Sequence, residues 1–388
     1  MTHAETKNNA GFRHKLILAM LMCLLFGAGP AYAQQPGMLL SSNPMRDAPS
    51  GMQAWQIRYT STNDRGQVEE VTGVVIAPVG VPSRMGRPVL AWAHGTWGVA
   101  DKCTPSTSSS FFNSTPGLNA AIARGYVVVA TDYAGLGTPQ PHPYLIGGSA
   151  GRSVLDAVRA ARAIPEAGAG SRFAVWGESQ GGHASLWTGQ IAREYAPDLN
   201  LMGVAAAAPP TDLIENLTGG TDPSIRAFMT AFTAHSWSQH FGFSLKTLGN
   251  KSTGSLIDRL ARNNCVTLGA KPRIGTMIGV AVLRARLKDV DLGRISPWKD
   301  IARDNSPVPR DYGVPFLIAQ NDADVIVAPD VTKQFVRKLC RSGARLRFVP
   351  IVSSGGHATS AADSTDVMLN WIDARFAGER APSDCGSI

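Results

Sequence analysis

Short, nearly unbroken apolar runs recur along this chain at residues 89–93 (VLAWA), 126–130 (YVVVA), 173–176 (FAVW), 204–208 (VAAAA), 314–319 (VPFLIA) and 346–352 (LRFVPIV). A strand with one face in water alternates apolar and polar residues. Runs like these therefore belong to strands covered on both faces. Helical periodicities lie between them, at 119–124, 154–163 (stopped by Pro165), 183–195 and 360–376. That alternation predicts an α/β fold, a mostly parallel central sheet flanked by helices. Ahead of it, segments 56–59 and 68–77 bracket the turn Asn63-Asp64-Arg65-Gly66 and predict an antiparallel hairpin. The rhythm breaks from about 211 to 305, where helical patterns dominate and Phe228, Phe232, Trp237, Phe241 and Phe243 cluster. We expect a helical cap inserted over the carboxyl edge of the sheet, between core segments 34–210 and 306–388.

Residues 1–33 have the pattern of a secretory signal. Lys7, Arg13 and Lys15 precede an apolar run at 16–28, and Ala31-Tyr32-Ala33 is a small-x-small cleavage site. The run is shorter than the roughly 20 residues that span a bilayer, so no stable membrane anchor is expected after cleavage. Cys23 leaves with the signal. Cys103, Cys265, Cys340 and Cys385 remain, an even number that in an exported chain predicts disulfides and leaves their pairing open. The formal charge of +8 is scattered without a block of like charges, which excludes a nucleic-acid role and leaves a mild attraction to anionic interfaces. No C-x-x-C, H-E-x-x-H or phosphate-binding glycine loop occurs, and the chemistry expected is free of metal and cofactor.

Residues 177–181 read GESQG, directly after the apolar run ending at Trp176 and directly before a helix. A strand, a sharp turn and a helix are the setting in which a G-x-S-x-G serine becomes an exposed nucleophile. Ser179 is that candidate, with Gly177, Gly181 and Gly182 giving the turn room. A serine hydroxyl needs a base, and the base an orienting acid, which in this fold follow in the order serine, acid, histidine. Of the eight histidines, His357 follows the strand run 346–352 through a Ser-Ser-Gly-Gly loop and precedes the last helix. It is the expected base. His183 lies one turn along the helix after Ser179 and points along it. The acid belongs after the run 314–319, where Asp322 and Asp324 compete. Asp324 is favoured by its place before the apolar turn leading to Pro329, and Asp322 is read as shaping the turn.

An oxyanion hole needs two amides, one from the residue after the nucleophile, Gln180, and one from the loop after the early strand. That loop reads His94-Gly95-Thr96, and Thr96 is chosen over Gly95 as the donor, with His94 bracing the loop.

With these residues in place the chain resembles the secretory lipase family of α/β-hydrolases. GESQGG, the Asp loop before Val-Ile-Val-Ala-Pro and GGHAT carry the resemblance, with His-Gly-Thr at 94–96 and DYAGLG at 132–137. It spans residues 55–376. It implies fatty-acid esters as substrates, a helical cap shaping an acyl pocket, and disulfides Cys103–Cys265 and Cys340–Cys385. Glu178 departs from the family pattern, in which a bulkier uncharged residue is frequent. A carboxylate there would pair with a cation or shift the working pH. Asp132 would touch the site or brace a loop.

The reading is a secreted serine hydrolase acting on small-molecule or lipid carboxylic esters through an acyl-enzyme. A peptidase or amidase of the same fold is the second reading, and a non-catalytic binding protein the third.

Overall fold

The computed structural model describes residue 1 and residues 35–388, apart from 83, 220–221 and 267–271. The expected signal segment 1–33 lies outside the described residues. The strands are β1 (Leu39–Pro44), β2 (Met52–Thr62), β3 (Val68–Pro78), β4 (Arg87–Ala93), β5 (Val127–Thr131), β6 (Ala169–Glu178), β7 (Asn200–Ala207), β8 (Phe316–Asn321) and β9 (Leu346–Ile351). They form one sheet in the order β1-β2-β3-β5-β4-β6-β7-β8-β9. From β5 to β9 every neighbouring pair is parallel. The three leading strands join antiparallel, and β2 and β3 form the expected hairpin with Thr62 opposite Val68. Asn63 builds its turn, accepting from the amides of Arg65 and Gln67 at 2.9 and 3.0 Å, while Gly66 takes φ 73°.

The apolar runs of the inner strands β4 to β8 are strands because both their faces are covered. Val89, Ala91, Phe173 and Val175 point into one core and Leu90, Trp92, Ala174 and Trp176 into the other. Helices α1 (Leu118–Ala123), α2 (Gly147–Arg162) and α3 (Gln180–Tyr195) follow β4, β5 and β6 in turn. Helix α2 starts earlier than its apolar periodicity predicts. Its first turn is built of small residues, and Gly151 lies so close to α3 that an added Cβ would sit 3.2 Å from the Thr188 nitrogen. Helix α9 (Pro329–Arg341) joins α2 and α3 on the first face through Phe335, Val336 and Leu339. Helix α10 (Ser360–Phe376) joins α1 on the second through Met368, Leu369 and Trp371. The result is three layers, helix on sheet on helix.

Between β7 and β8 the described residues are helical: α4 (Leu213–Thr218), α5 (Pro223–Phe241), α6 (Lys251–Asn263), α7 (Ile274–Arg286) and α8 (Trp298–Asn305). They share a separate apolar core around Phe232, Trp237 and Trp298. Trp237 Nε1 donates to the Tyr144 carbonyl at 2.8 Å, and His240 Nε2 meets Asp64 Oδ1 at 2.8 Å on the hairpin turn. The Cys103–Cys265 disulfide ties the loop after β4 to the segment after α6, and Cys340–Cys385 ties α9 to the C-terminal tail. Both pairings are those the resemblance implies. No described helix is long and apolar enough to cross a membrane.

Candidate active site

Because β4, β6, β8 and β9 are parallel, their carboxyl ends share one edge of the sheet. The residues just past those ends are Gly95 and Thr96, Ser179, Asp324 and His357.

Strand β6 ends at Glu178 and helix α3 begins at Gln180, so Ser179 alone makes the turn, at φ 54° and ψ −118°. A non-glycine residue holds such a conformation only where its surroundings over-determine it. Here the Ser179 amide donates to the Ala207 carbonyl at 2.9 Å, and its carbonyl accepts from His183 at 3.0 Å. The flanking glycines are steric requirements. A Cβ on Gly177 would lie 2.2 Å from the Gly181 oxygen, and one on Gly181 would lie 1.8 Å from the Ala93 oxygen. The turn thus closes against β4 and β7 and leaves Ser179 facing a cavity of about 420 Å³.

His357 lines the same cavity, and its Nδ1 lies 2.7 Å from Asp324 Oδ2. Asp324 is buried. Its Oδ1 accepts from the amides of Ile326 and Val327 at 2.8 and 2.9 Å, and Gln320 Nε2 donates to Oδ2 at 3.1 Å. Both oxygens are therefore acceptors, and the His357 nitrogen facing them carries the proton. Burial, the largest single influence, pushes the His357 imidazole down. The hydrogen bond and charge of Asp324, with the charge of Glu178, outweigh it and hold the pKa above the usual range. Asp322 is exposed and pairs with Lys333 Nζ at 2.8 Å. The turn-shaping expected of it falls to Asn321, whose Oδ1 accepts from the Ala323 amide at 2.8 Å. Asn321 Nδ2 also donates to the Ser353 carbonyl at 3.1 Å, tying the Asp324 loop to the His357 loop.

Gly95 and Thr96 line the cavity. A Cβ on Gly95 would come within 3.9 Å of the Ser179 Cβ, so this loop passes close to the nucleophile. Gln180 occupies the first position of α3, where backbone N–H groups have no acceptor within the helix. Thr96 Oγ1 shares a hydrogen bond of 2.8 Å with Tyr144 Oη. Tyr144 in turn donates its amide to Ser236 on α5, so the loop is keyed to the inserted helices.

His94, His142 and His183 are buried. Burial takes His94, His142 and His183 down to about 4. His94 Nδ1 lies 2.6 Å from the Gly95 oxygen, with the Tyr133 ring centroid 4.5 Å away, which is the bracing role expected of it. His183 Nε2 is spent on the Asn305 carbonyl at 2.7 Å. Asp132 is a brace as well, accepting from Thr72 Oγ1 and the Ser106 amide at 2.7 and 2.8 Å. Glu178 pairs with no cation among the described residues. Its Oε1 accepts from the Ala361 amide at 3.0 Å, and burial raises its pKa. Sequence reasoning missed Gln320, four residues before Asp324, and Tyr144, whose partners Thr96 and Ser236 are too far along the chain for any local pattern to flag.

The rest of the cavity wall is largely apolar, with Trp92, Trp97, Phe111, Met229, Val266 and Ile326. Met229 comes from α5, and Val266 follows the Cys103–Cys265 bridge and donates its amide to the Trp97 carbonyl at 2.8 Å.

Comparison with known proteins agrees with this fold. Lipase A from Candida antarctica has a similar fold, with TM-score 0.73 and 20% identity over 91% of this chain and 85% of that one. The rice cell wall degrading esterase LipA from Xanthomonas oryzae gives TM-score 0.65 and 18% identity, over 88% and 97%. In sequence, a probable inactive lipase of Mycobacterium tuberculosis is 25% identical, over 89% of this chain and 79% of the relative. Lipase 5 of Candida albicans is 24% identical, over 86% and 74%. The family model described as secretory lipase matches residues 113–384, from the cavity wall at Asn113 to the C-terminal tail, and takes in the elbow, the Asp324 loop and His357. The chain belongs to the secretory lipase family.

Proposed function

We propose that this protein is a secreted carboxylic ester hydrolase working through an acyl-enzyme on Ser179. The observation that carries the reading is the 2.7 Å Asp324–His357 hydrogen bond on the wall of the cavity that Ser179 faces from its strained turn. Ser179 Oγ attacks the ester carbonyl carbon as its proton passes to His357 Nε2. Asp324 stabilises the resulting imidazolium. The amides of Thr96 and Gln180 hold the oxyanion, and its collapse breaks the ester C–O bond while His357 returns the proton to the leaving alcohol. Water then attacks the acyl carbon, gives its proton to His357, and the acid leaves as Ser179 Oγ recovers it. The apolar wall supports an acyl chain as the group bound, and Met229 and Val266 support helices 213–305 as a cap over it. The signal pattern and the disulfides support export.

One relative is named a probable inactive lipase, so reactivity of the serine is the test. A fluorophosphonate probe on the folded mature protein should label Ser179, found by peptide mapping. Folded protein that resists the probe would return the reading to a non-catalytic member.

A further inference from the structure

Helix α7 carries apolar residues on its water-facing side as well as on its packed side. Its inner positions Gly279, Val280 and Leu283 are buried against the other inserted helices. The outer stripe is Ile274, Met277, Ile278, Ala281, Val282 and Ala285, at helical spacing and all exposed. Ile274 is 77%, Met277 55%, Ile278 60% and Val282 39% accessible. A contiguous apolar patch left in water marks an interaction surface.

The surroundings of the stripe decide what it meets. Ile278 and Val282 form one wall of a groove toward α6, and that groove carries Lys251, Arg259 and Arg286. None of the three has an ion-pair partner among the described residues, and α7 holds no acidic residue. In a two-fold dimer built on this face each copy would present the same patch, setting three cations against three. A surface with an apolar interior and anionic headgroups satisfies both halves, burying the stripe and pairing the cations.

We infer that the outer face of α7, with the cations of the α6–α7 groove, is a docking surface for anionic lipid interfaces. Val266, which lines the reaction cavity, lies a few residues before Ile274, so the docked element adjoins the cavity wall along the chain. The inference stands apart from the ester-hydrolase reading and is tested without turnover.

The full mature chain carrying Ser179→Ala is floated with vesicles of phosphatidylcholine alone, and with vesicles that also contain phosphatidylglycerol. It should partition onto the anionic vesicles, and more weakly as salt is raised. Lys251→Gln with Arg259→Gln and Arg286→Gln should weaken that partitioning about fivefold for each cation removed. Ile274→Ser with Met277→Ser and Ile278→Ser should remove binding to both vesicle types. These are surface changes, and an unchanged thermal midpoint shows that each variant is folded. Wild-type partitioning by either folded triple variant overturns the inference. So does equal binding of the parent chain to both vesicle types, or to neither. A dimer that becomes a monomer only in the serine triple would show that a second copy covers the face, and would overturn it too.

Discussion

Asp324→Asn is the sharpest single test of how this site would handle a proton. The two side chains are nearly the same shape, so the change is one of donor against acceptor. In the folded protein the amides of Ile326 and Val327 both point at Oδ1, at 2.8 and 2.9 Å. Asparagine meets them only by placing its carbonyl oxygen there. Its NH2 then occupies the Oδ2 position, facing the His357 Nδ1 that lies 2.7 Å away and the Gln320 Nε2 at 3.1 Å. A donor cannot pair with the N–H of Nδ1, so His357 adopts the tautomer with its proton on Nε2. That nitrogen then has no lone pair for the Ser179 proton. A wrong-tautomer loss is about 10^4-fold in kcat, or about 5 kcal/mol of transition-state stabilisation. The two backbone bonds to Oδ1 survive, so the thermal midpoint should stay close to that of the parent. The assay is kcat on p-nitrophenyl butyrate beside Asp322→Asn, which sits in the same loop but pairs with Lys333 at the surface. Asp322→Asn should be indistinguishable from the parent. Asp324→Asn within tenfold of the parent, or the larger loss in Asp322→Asn, would refute the assignment.

Three more outcomes follow from the same geometry. Glu178→Gln removes a negative charge whose field holds the His357 pKa up. Since His357 must be neutral to accept the proton, activity rises with pH through that pKa, and the acid limb of kcat/KM in Glu178→Gln should move to lower pH. An unmoved or rising limb would contradict this. The Cys103–Cys265 bridge spans 162 residues and Cys340–Cys385 spans 45. In the chain-entropy account, replacing the first pair by serine costs about 5 kcal/mol and the second about 4 kcal/mol. Denaturant unfolding of the two double variants should show the first as the less stable, and the reverse order would count against loop closure as the cause. Gly181→Ala would place a methyl 1.8 Å from the Ala93 carbonyl oxygen. It should lose soluble expression or the fluorophosphonate reaction, and a fully active, stable Gly181→Ala would mean that the elbow is looser than drawn.

Much of this was legible in the sequence because burial on both faces writes itself as unbroken apolar runs. Strands β4 to β8 were visible for that reason, while β9 at the sheet edge is only partly buried. Their carboxyl-end loops could then be searched for a serine, an acid and a histidine in chain order. Strand β1 was not visible. Its residues LLSSNP are mostly exposed at the sheet edge, and it is held by backbone pairing to β2 that any side chains permit. Helix α2 begins at Gly147, in a stretch whose three glycines helix propensity disfavours and whose packing against α3 requires Gly151. The choice between Asp322 and Asp324 rested on position, whereas the structure rests it on which carboxylate is buried against His357. Tyr144 and the Glu178–Ala361 bond act across long sequence separations, and no local pattern records them.

The most direct test of the central claim is turnover of p-nitrophenyl esters from acetate to palmitate by the mature protein beside Ser179→Ala. The account predicts ester hydrolysis by the parent, with kcat lower by about 10^4-fold or more in Ser179→Ala at an unchanged thermal midpoint. Near-full activity in folded Ser179→Ala, or a folded parent that cleaves no ester, would contradict it.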